Sequence, residues 1–500
     1  MTTDMQARQA ALDALATIKP EPTDLVEYVS RGRIVVLAPS ECRADIETAA
    51  AKIKQKPLLL FDDDWPVRTV RGFLGSFEIT REDGETRAAD VVADFYHPPL
   101  AMKFSPGLSV LPPGYFAAGE SDAATILSEA ENMQGTFHKP RYFAYDPSIC
   151  AHGTSGVRGC EKCIDACPAQ AVESAGDKVR VNPNLCQGCG LCTLTCPSGA
   201  MRYAYPPPAD TLRALQNAIT AYRQHDNGAP TVVFYAAESG HVIPEDAALI
   251  PAVVEEAGAA GMEIWLCALA FGAAGVVIFA DNPQLAAQAK AQAKTVCDII
   301  KSMGLPHTVT ITEEPESIRP AQTSEIVSPA RFAPDNDKRT MFFMALTHLA
   351  AAAENAPPTI SLSAGAPFGE IIVSTEKCTL CMACAGACPV SAVRAGGDLP
   401  RLSFVEENCL QCGICEKACP EDAIQLRPRL LLRADERRQS RVLNEDKPFL
   451  CLQCNKPFAG SRMIARMEEK LKSHWMFKTE KERRRLRLCE DCRVRDMFDQ

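Results

Sequence analysis

The chain has 500 residues, 46% hydrophobic and 23% charged, with a formal net charge of −10. That is room for three or four domains with a sizeable core, far longer than the small disulfide-stapled scaffolds that a count of 23 cysteines would otherwise suggest. Twenty of those cysteines fall in three groups, at 150–196, 378–419 and 451–492, while Cys42, Cys267 and Cys297 stand apart and are expected to be small buried hydrophobes.

In chain order, residues 1–30 read as an N-terminal helix and a linker carrying Pro20 and Pro22. Residues 31–140 read as a small α/β domain. The short apolar runs at 33–37 and 57–61 suit buried strands, residues 69–79 and 86–96 add further strand-like segments, and residues 121–134 form a helix that Ser121 or Asp122 caps. The first cysteine module spans 141–208 and closes on Pro206-Pro207-Pro208. Residues 209–330 read as a second α/β domain: a strand at 231–235, a helix at 244–257 with Pro at its start, a helix at 262–273, a strand at 276–280, a helix at 283–303 and a strand at 308–311. Strands alternating with helices favour a small parallel sheet. Residues 331–368 form a helical linker, with one apolar helix at about 338–354. The second cysteine module spans 369–430, and residues 431–500 are a basic tail with four more cysteines. The expected fold class is therefore α/β plus α+β: two small α/β domains, each followed by a cysteine module, and a C-terminal Cys₄ metal-binding tail.

The start of the chain contains Asp4, Arg8 and Asp13 and lacks a basic, then apolar, leader or a twin-Arg pair. Reduced, metal-bound thiolates in the cytoplasm explain the cysteines better than disulfides. The longest uncharged apolar run, residues 264–280, is short for a bilayer span, contains Gly272 and Gly275, and reads as a buried helix followed by a strand.

Three runs share one spacing: Cys186-x2-Cys189-x2-Cys192-x3-Cys196-Pro197, Cys378-x2-Cys381-x2-Cys384-x3-Cys388-Pro389 and Cys409-x2-Cys412-x2-Cys415-x3-Cys419-Pro420. Two-residue gaps in a tight loop aim three thiolates at one cubane, and the fourth Cys, followed by Pro, leads away to a second cluster. Gly188, Gly190 and Gly413 let the backbone approach closely. These residues resemble bacterial-type ferredoxins with two [4Fe–4S] clusters. Carried over position by position, the resemblance implies one cluster on Cys378, Cys381, Cys384 and Cys419, and another on Cys409, Cys412, Cys415 and Cys388.

The first module departs from this pattern, because its upstream motif is Cys150-x9-Cys160-x2-Cys163-x3-Cys167-Pro168. The resemblance implies Cys150, Cys160, Cys163 and Cys196 for one cluster and Cys186, Cys189, Cys192 and Cys167 for the other. His152 in the long gap is an alternative to Cys150, since His ligates iron in some centres. A plainer reading has His152 and Arg158 only shaping the loop, and a further one has the loop tuning potential or docking a partner.

The tail carries Cys451-x2-Cys454 and Cys489-x2-Cys492, 34 residues apart. Paired CxxC knuckles suit a closed tetrahedral zinc site, with a fifth iron–sulfur cluster as the alternative. Residues 462–487 hold ten Lys/Arg against four Glu. A solvated helix face is the expected role; docking of an acidic protein and nucleic-acid binding are the alternatives, nucleic acid being the least expected. There is no G-x-G-x-x-G after a strand, no P-loop and no Ser/His/Asp constellation, so no catalytic residue is assigned.

Two further resemblances are weaker. Residues 251–280 are similar to the small iron–sulfur subunit that links methanogen hydrogenase to heterodisulfide reductase, though its cluster cysteines have no counterpart beyond Cys267. Gly114-Tyr-Phe, Lys139-Pro-Arg-Tyr-Phe-Ala-Tyr-Asp146, Cys150-Ala-His-Gly153 and Cys186-Gln-Gly-Cys-Gly190 look like multi-cluster 4Fe–4S proteins encoded with proteobacterial formate dehydrogenases. The latter resemblance implies a role beside a formate-oxidising molybdoenzyme, and two dicluster modules give a chain of four relay centres, so the expected function is a non-catalytic subunit relaying single electrons between a dehydrogenase and an acceptor. The alternatives are an accessory or maturation factor for a molybdoenzyme and, third, a redox sensor.

Overall fold

The computed structural model describes residues 3–498 except 18, 20–22, 120, 227, 241, 242, 324–326 and 398. The first sheet is parallel, in the order Leu58–Phe61, Ile34–Ala38, Val91–Asp94, Tyr115–Ala117. Every side chain of Ile34–Ala38 is buried, as a central parallel strand covered on both faces requires. One face is covered by the helices Arg43–Ala50 and Ala123–Glu131, through Ile46, Ile126 and Leu127. A three-stranded antiparallel sheet and Trp65 cover the other. Asp122 caps the second of these helices by accepting from the Thr125 amide. Each of the two segments expected as a single strand is divided. Val67–Arg71 and Phe77–Arg81 pair across a turn, and Thr86–Ala89 and Val91–Asp94 separate at Asp90, whose carboxylate accepts from the Arg31 and Arg33 amides.

The helix expected at the start of the chain forms, while the stretch with Pro20 and Pro22 lies outside the described residues and the end of 1–30 is not linker. Leu25–Ser30 is a strand, paired antiparallel with Gly135–Pro140. The helix Thr3–Ala16 packs on Pro208–His225, where Ala7 and Ala11, one turn apart, meet Ala218, Tyr222 and Ile250.

The second sheet is wholly parallel, in the order Leu249–Val254, Thr231–Ala236, Gly275–Phe279, Thr308–Thr312. The helix expected over 244–257 is replaced by the edge strand Leu249–Val254. Its apolar residues pair in register with Thr231–Ala236, and Pro251 is tolerated because the strand lies at the sheet's edge. Met262–Ala270 is a helix buried on every side, followed by the buried strand Gly275–Phe279. Among the described residues no helix is long and apolar enough to cross a membrane. The helix Lys338–Ala352 is no mere spacer: Met341, Phe342, Leu346 and Leu349 join the core with Trp265, and Phe342 stacks on Phe368 at 4.2 Å.

Each cysteine region is a pair of short helices with small antiparallel sheets. The first has Lys162–Asp165 and Leu191–Thr195, with Val172–Ala175 paired to Lys178–Val181 and Phe143–Tyr145 to Met201–Tyr203. The second has Ala383–Ala387 and Ile414–Lys417, with Val393–Ala395 paired to Arg401–Phe404 and Gly369–Val373 to Ile424–Leu431. Buried Glu370 and Glu406 hold this second region to its flanks. Arg441 reaches both at 2.7 Å, and Arg429 reaches Glu370 at 2.8 Å and Glu406 at 2.7 Å. Buried carboxylates persist because they are paired in this way.

Candidate metal centres

The four Cys-Pro arms are built alike. Each Cys is followed three residues later by a left-handed residue: Gln170, Gly199, Ser391 and Asp422. That turn directs a backbone N–H back at the sulfur. Ala171 donates to Cys167 Sγ at 3.2 Å, Met201 to Cys196 Sγ at 3.4 Å, Ala392 to Cys388 Sγ at 3.2 Å and Ala423 to Cys419 Sγ at 3.3 Å. Hydrogen bonds of this kind stabilise a thiolate. Three of the four remaining loops also share a winding. Gly188 and Gly190, Leu380 and Met382, and Gln411 and Gly413 all have positive φ, so each pair of two-residue gaps wraps its amides and thiols around a common centre.

The cysteines converge as crossed sets. One cavity is lined by Cys378, Cys381, Cys384 and Cys419, another by Cys388, Cys409, Cys412 and Cys415, and a third by Cys167, Cys186, Cys189 and Cys192. The fourth set is the irregular one. Cys150 and Cys196 are buried together with Cys163 packed on them. Burial pushes the Cys163 thiol up to about 12, with Cys196, Cys160 and Cys150 adding to it. Four soft thiols around each centre, with amides turned inward, fit the donor set of a [4Fe–4S] cluster. Cys381 is exposed, while Cys384 of the same set is buried.

His152 is not free to act as a ligand. It is buried, with Nδ1 3.0 Å from the Cys160 carbonyl oxygen and Nε2 2.8 Å from Ser174 Oγ, so both ring nitrogens brace the loop. Cys267 is buried in its helix, with Sγ donating to the Met341 carbonyl, and Cys42 and Cys297 are half-buried against apolar clusters.

Two cations that sequence reasoning passed over sit against the cysteine loops. Lys139 Nζ donates to the carbonyl oxygens of Asn184 and Cys186, and burial pushes it down to about 8. Arg339, at the start of the Lys338–Ala352 helix, donates to four carbonyls: Pro197, Pro367, Glu407 and Cys409. Their only sequence signal was position, Lys139 at the head of the Lys139–Asp146 run and Arg339 beside a helix cap.

In the tail the four sulfurs of Cys451, Cys454, Cys489 and Cys492 lie within 4.8 Å of one another. The hairpin Pro448–Leu450 with Pro457–Gly460 presents the first pair, and the helix Glu490–Phe498 carries Cys492. Burial raises the Cys451 thiol, but amide donors from Cys489, Gln453 and Cys454 outweigh it and bring the group down to about 6. Several basic residues of the tail are used internally. Arg466 and Lys470 pair with Glu421, Arg487 with Glu468 and Arg485 with Asp496, which fits a structural face better than a nucleic-acid surface.

The 4Fe-4S dicluster domain family matches residues 128–200 and 377–423. Among curated proteins, a probable iron-sulfur protein of the Frd operon of Proteus vulgaris is 30% identical over 110 residues, which is 22% of this chain and 67% of that protein. Hydrogenase-4 component A of Escherichia coli is 30% identical over 94 residues, 17% of this chain and 42% of that protein. Formate hydrogenlyase subunit 2 of Escherichia coli is 33% identical over 66 residues, 13% and 29% respectively. The chain spans less than half the length of most curated relatives it matches. Both dicluster regions carry the cysteine geometry described above, and the chain belongs to the 4Fe–4S dicluster ferredoxin family.

Proposed function

We propose that the chain is a non-catalytic relay holding four [4Fe–4S] clusters, on the crossed sets Cys150/160/163/196, Cys167/186/189/192, Cys378/381/384/419 and Cys388/409/412/415. The observation that carries this reading is the fourfold repeat of the Cys-Pro arm, with its left-handed residue and its N–H donor to sulfur. At Cys196, in the irregular set, the donor is Met201, five residues on, while Ala200 N donates to Ser198 Oγ; the left-handed residue and the N–H donor to sulfur are kept. A bound cluster supplies a one-electron couple at each site. The protein fixes the thiols, keeps most of them from water and supplies the amide donors.

The tail site is assigned to structural zinc, because four converging cysteines leave no open position. The relay works in the cytoplasm between a dehydrogenase and an acceptor. A formate-oxidising molybdoenzyme is the proposed donor, supported by the likeness to a formate hydrogenlyase component. The exposed edge at Cys381 is where electrons enter or leave.

Anaerobically purified protein is expected to contain about sixteen irons and about one zinc per chain. About twelve irons would remove the Cys150 set. Co-purification with the molybdoenzyme at fixed ratio, and reduction by formate, support the relay. Absence from the mature complex, with apo-enzyme accumulating in a deletion strain, would instead identify a maturation factor.

A further inference from the structure

We infer that the long Cys150–Cys160 loop is the coupling element between the two cysteine modules, seating Cys160 of the first against the Cys412 loop of the second so that electrons cross there. This rests on the four-cluster reading above.

The loop replaces a two-residue gap with nine residues, 151–159. It is rigidly built. Gly153–Thr154 pairs with Val157–Arg158, and the neck is closed by Gly159 N donating to His152 O at 2.8 Å and Cys160 N to Ala151 O at 2.9 Å. His152 braces it from within, the Asp177 carboxylate accepts from Gly156 N at 2.9 Å, and Lys178 Nζ donates to Cys150 O at 3.1 Å. A loop whose only task was to span from Cys150 to Cys160 has no need of this bracing.

Its outer face meets the second module. A Cβ at Gly159 would lie 2.5 Å from Ile414 Cγ1 and 2.6 Å from Ala151 O. Gly159 has no left-handed φ, so glycine is required here by space alone. Ile414 is fully buried and stands between Cys412 and Cys415. Three residues on, Lys417 Nζ donates to the Arg158 carbonyl at 2.9 Å. Next to this contact, Lys162 Nζ donates to Gly365 O at 2.8 Å, and Arg339 bridges Pro197 O and Cys409 O. The loop thus stands between the two modules, with Cys160 at its end and the Cys412–Cys415 segment packed against it.

The test uses the full chain with its clusters, comparing wild type, Gly159→Val and Lys417→Met. Gly159→Val forces the loop off Ile414. Lys417→Met removes one cross-module hydrogen bond without adding bulk, and serves if the first variant does not fold. Iron content is measured first, then electron spin resonance of the reduced protein and hydrogen exchange over residues 151–160. The expected result is full iron, loss of the magnetic broadening between modules in Gly159→Val, its weakening in Lys417→Met, and faster exchange in the loop. Full iron with unchanged broadening in both variants would overturn the coupling role alone. Wild-type protein with iron in the second module only would overturn the four-cluster reading and this inference together.

Discussion

Arg339 Nη2 donates to the carbonyl oxygen of Cys409 at 3.1 Å, while Nη1 of the same guanidinium reaches Pro197 O at 3.3 Å. One side chain therefore bridges the residue after Cys196 in the first module and Cys409 in the second. Burial lowers Arg339 to about 10, so it keeps its charge at neutral pH. Arg339→Met removes hydrogen bonds from a charged donor and leaves buried carbonyls unpaired. We expect a loss of about 3 kcal/mol in chemical unfolding of the iron-loaded protein, with iron content unchanged before unfolding. An unaltered midpoint would show that the bridge contributes nothing net.

Cysteines inside and outside the crossed sets should respond differently. Cys381→Ala removes a thiol lining one cavity and should cost about four irons per chain, with destabilisation of its module. Cys267→Ser, outside all four crossed sets and already bonded to Met341 O, should leave iron content as in wild type. Parallel iron analysis of the two variants checks both halves of the expectation.

The cysteine sets were legible because ligand spacing is a local property: Cys-x2-Cys-x2-Cys sits in one loop, and its chemistry does not depend on where the loop lies. What was illegible depends on distant partners. Pro244 suits a helix start and predicts a helix through 249–254, yet pairing with Thr231–Ala236 decides it as a strand. The N-terminal helix gives no local sign that Ala7 and Ala11 will face Ala218 and Tyr222. Glu370, Glu406, Arg429 and Arg441 look like ordinary surface charges until the fold buries the two carboxylates together. The Cys150–Cys160 loop was visible as an insertion, but the second module that it touches lies about 250 residues further along the chain.

A pH effect is expected at Glu256, at the carboxyl end of the strand Leu249–Val254. Burial, then the charges of Asp281, Glu255 and Glu238, raises its carboxyl to about 7 from the ordinary 4.5. A raised folded-state value means that the folded protein holds this proton more tightly than the unfolded chain. The associated stability is full below pH 4.5 and is lost as pH rises through 7. The melting temperature should therefore fall from about pH 5 to about pH 8, and Glu256→Gln should flatten that slope. A wild-type slope retained in the variant would assign the effect to another group.

The tail offers a separation of metals. Its four sulfurs are clustered within 4.8 Å, and the long insert between the two cysteine pairs is anchored elsewhere, by Arg466 and Lys470 on Glu421 and by Arg462 on the Thr375 carbonyl. Loss of the metal should then melt only the parts that the thiols hold together, because ligand binding there is folding energy for the hairpin and the final helix. Cys454→Ser should lower zinc to near zero and speed hydrogen exchange in Pro457–Gly460 and Glu490–Phe498. The helix Ser461–Leu471 should stay protected through its ion pairs with the second module, and iron content should not change. Loss of iron in step with zinc would make the tail site part of the cluster-bearing structure.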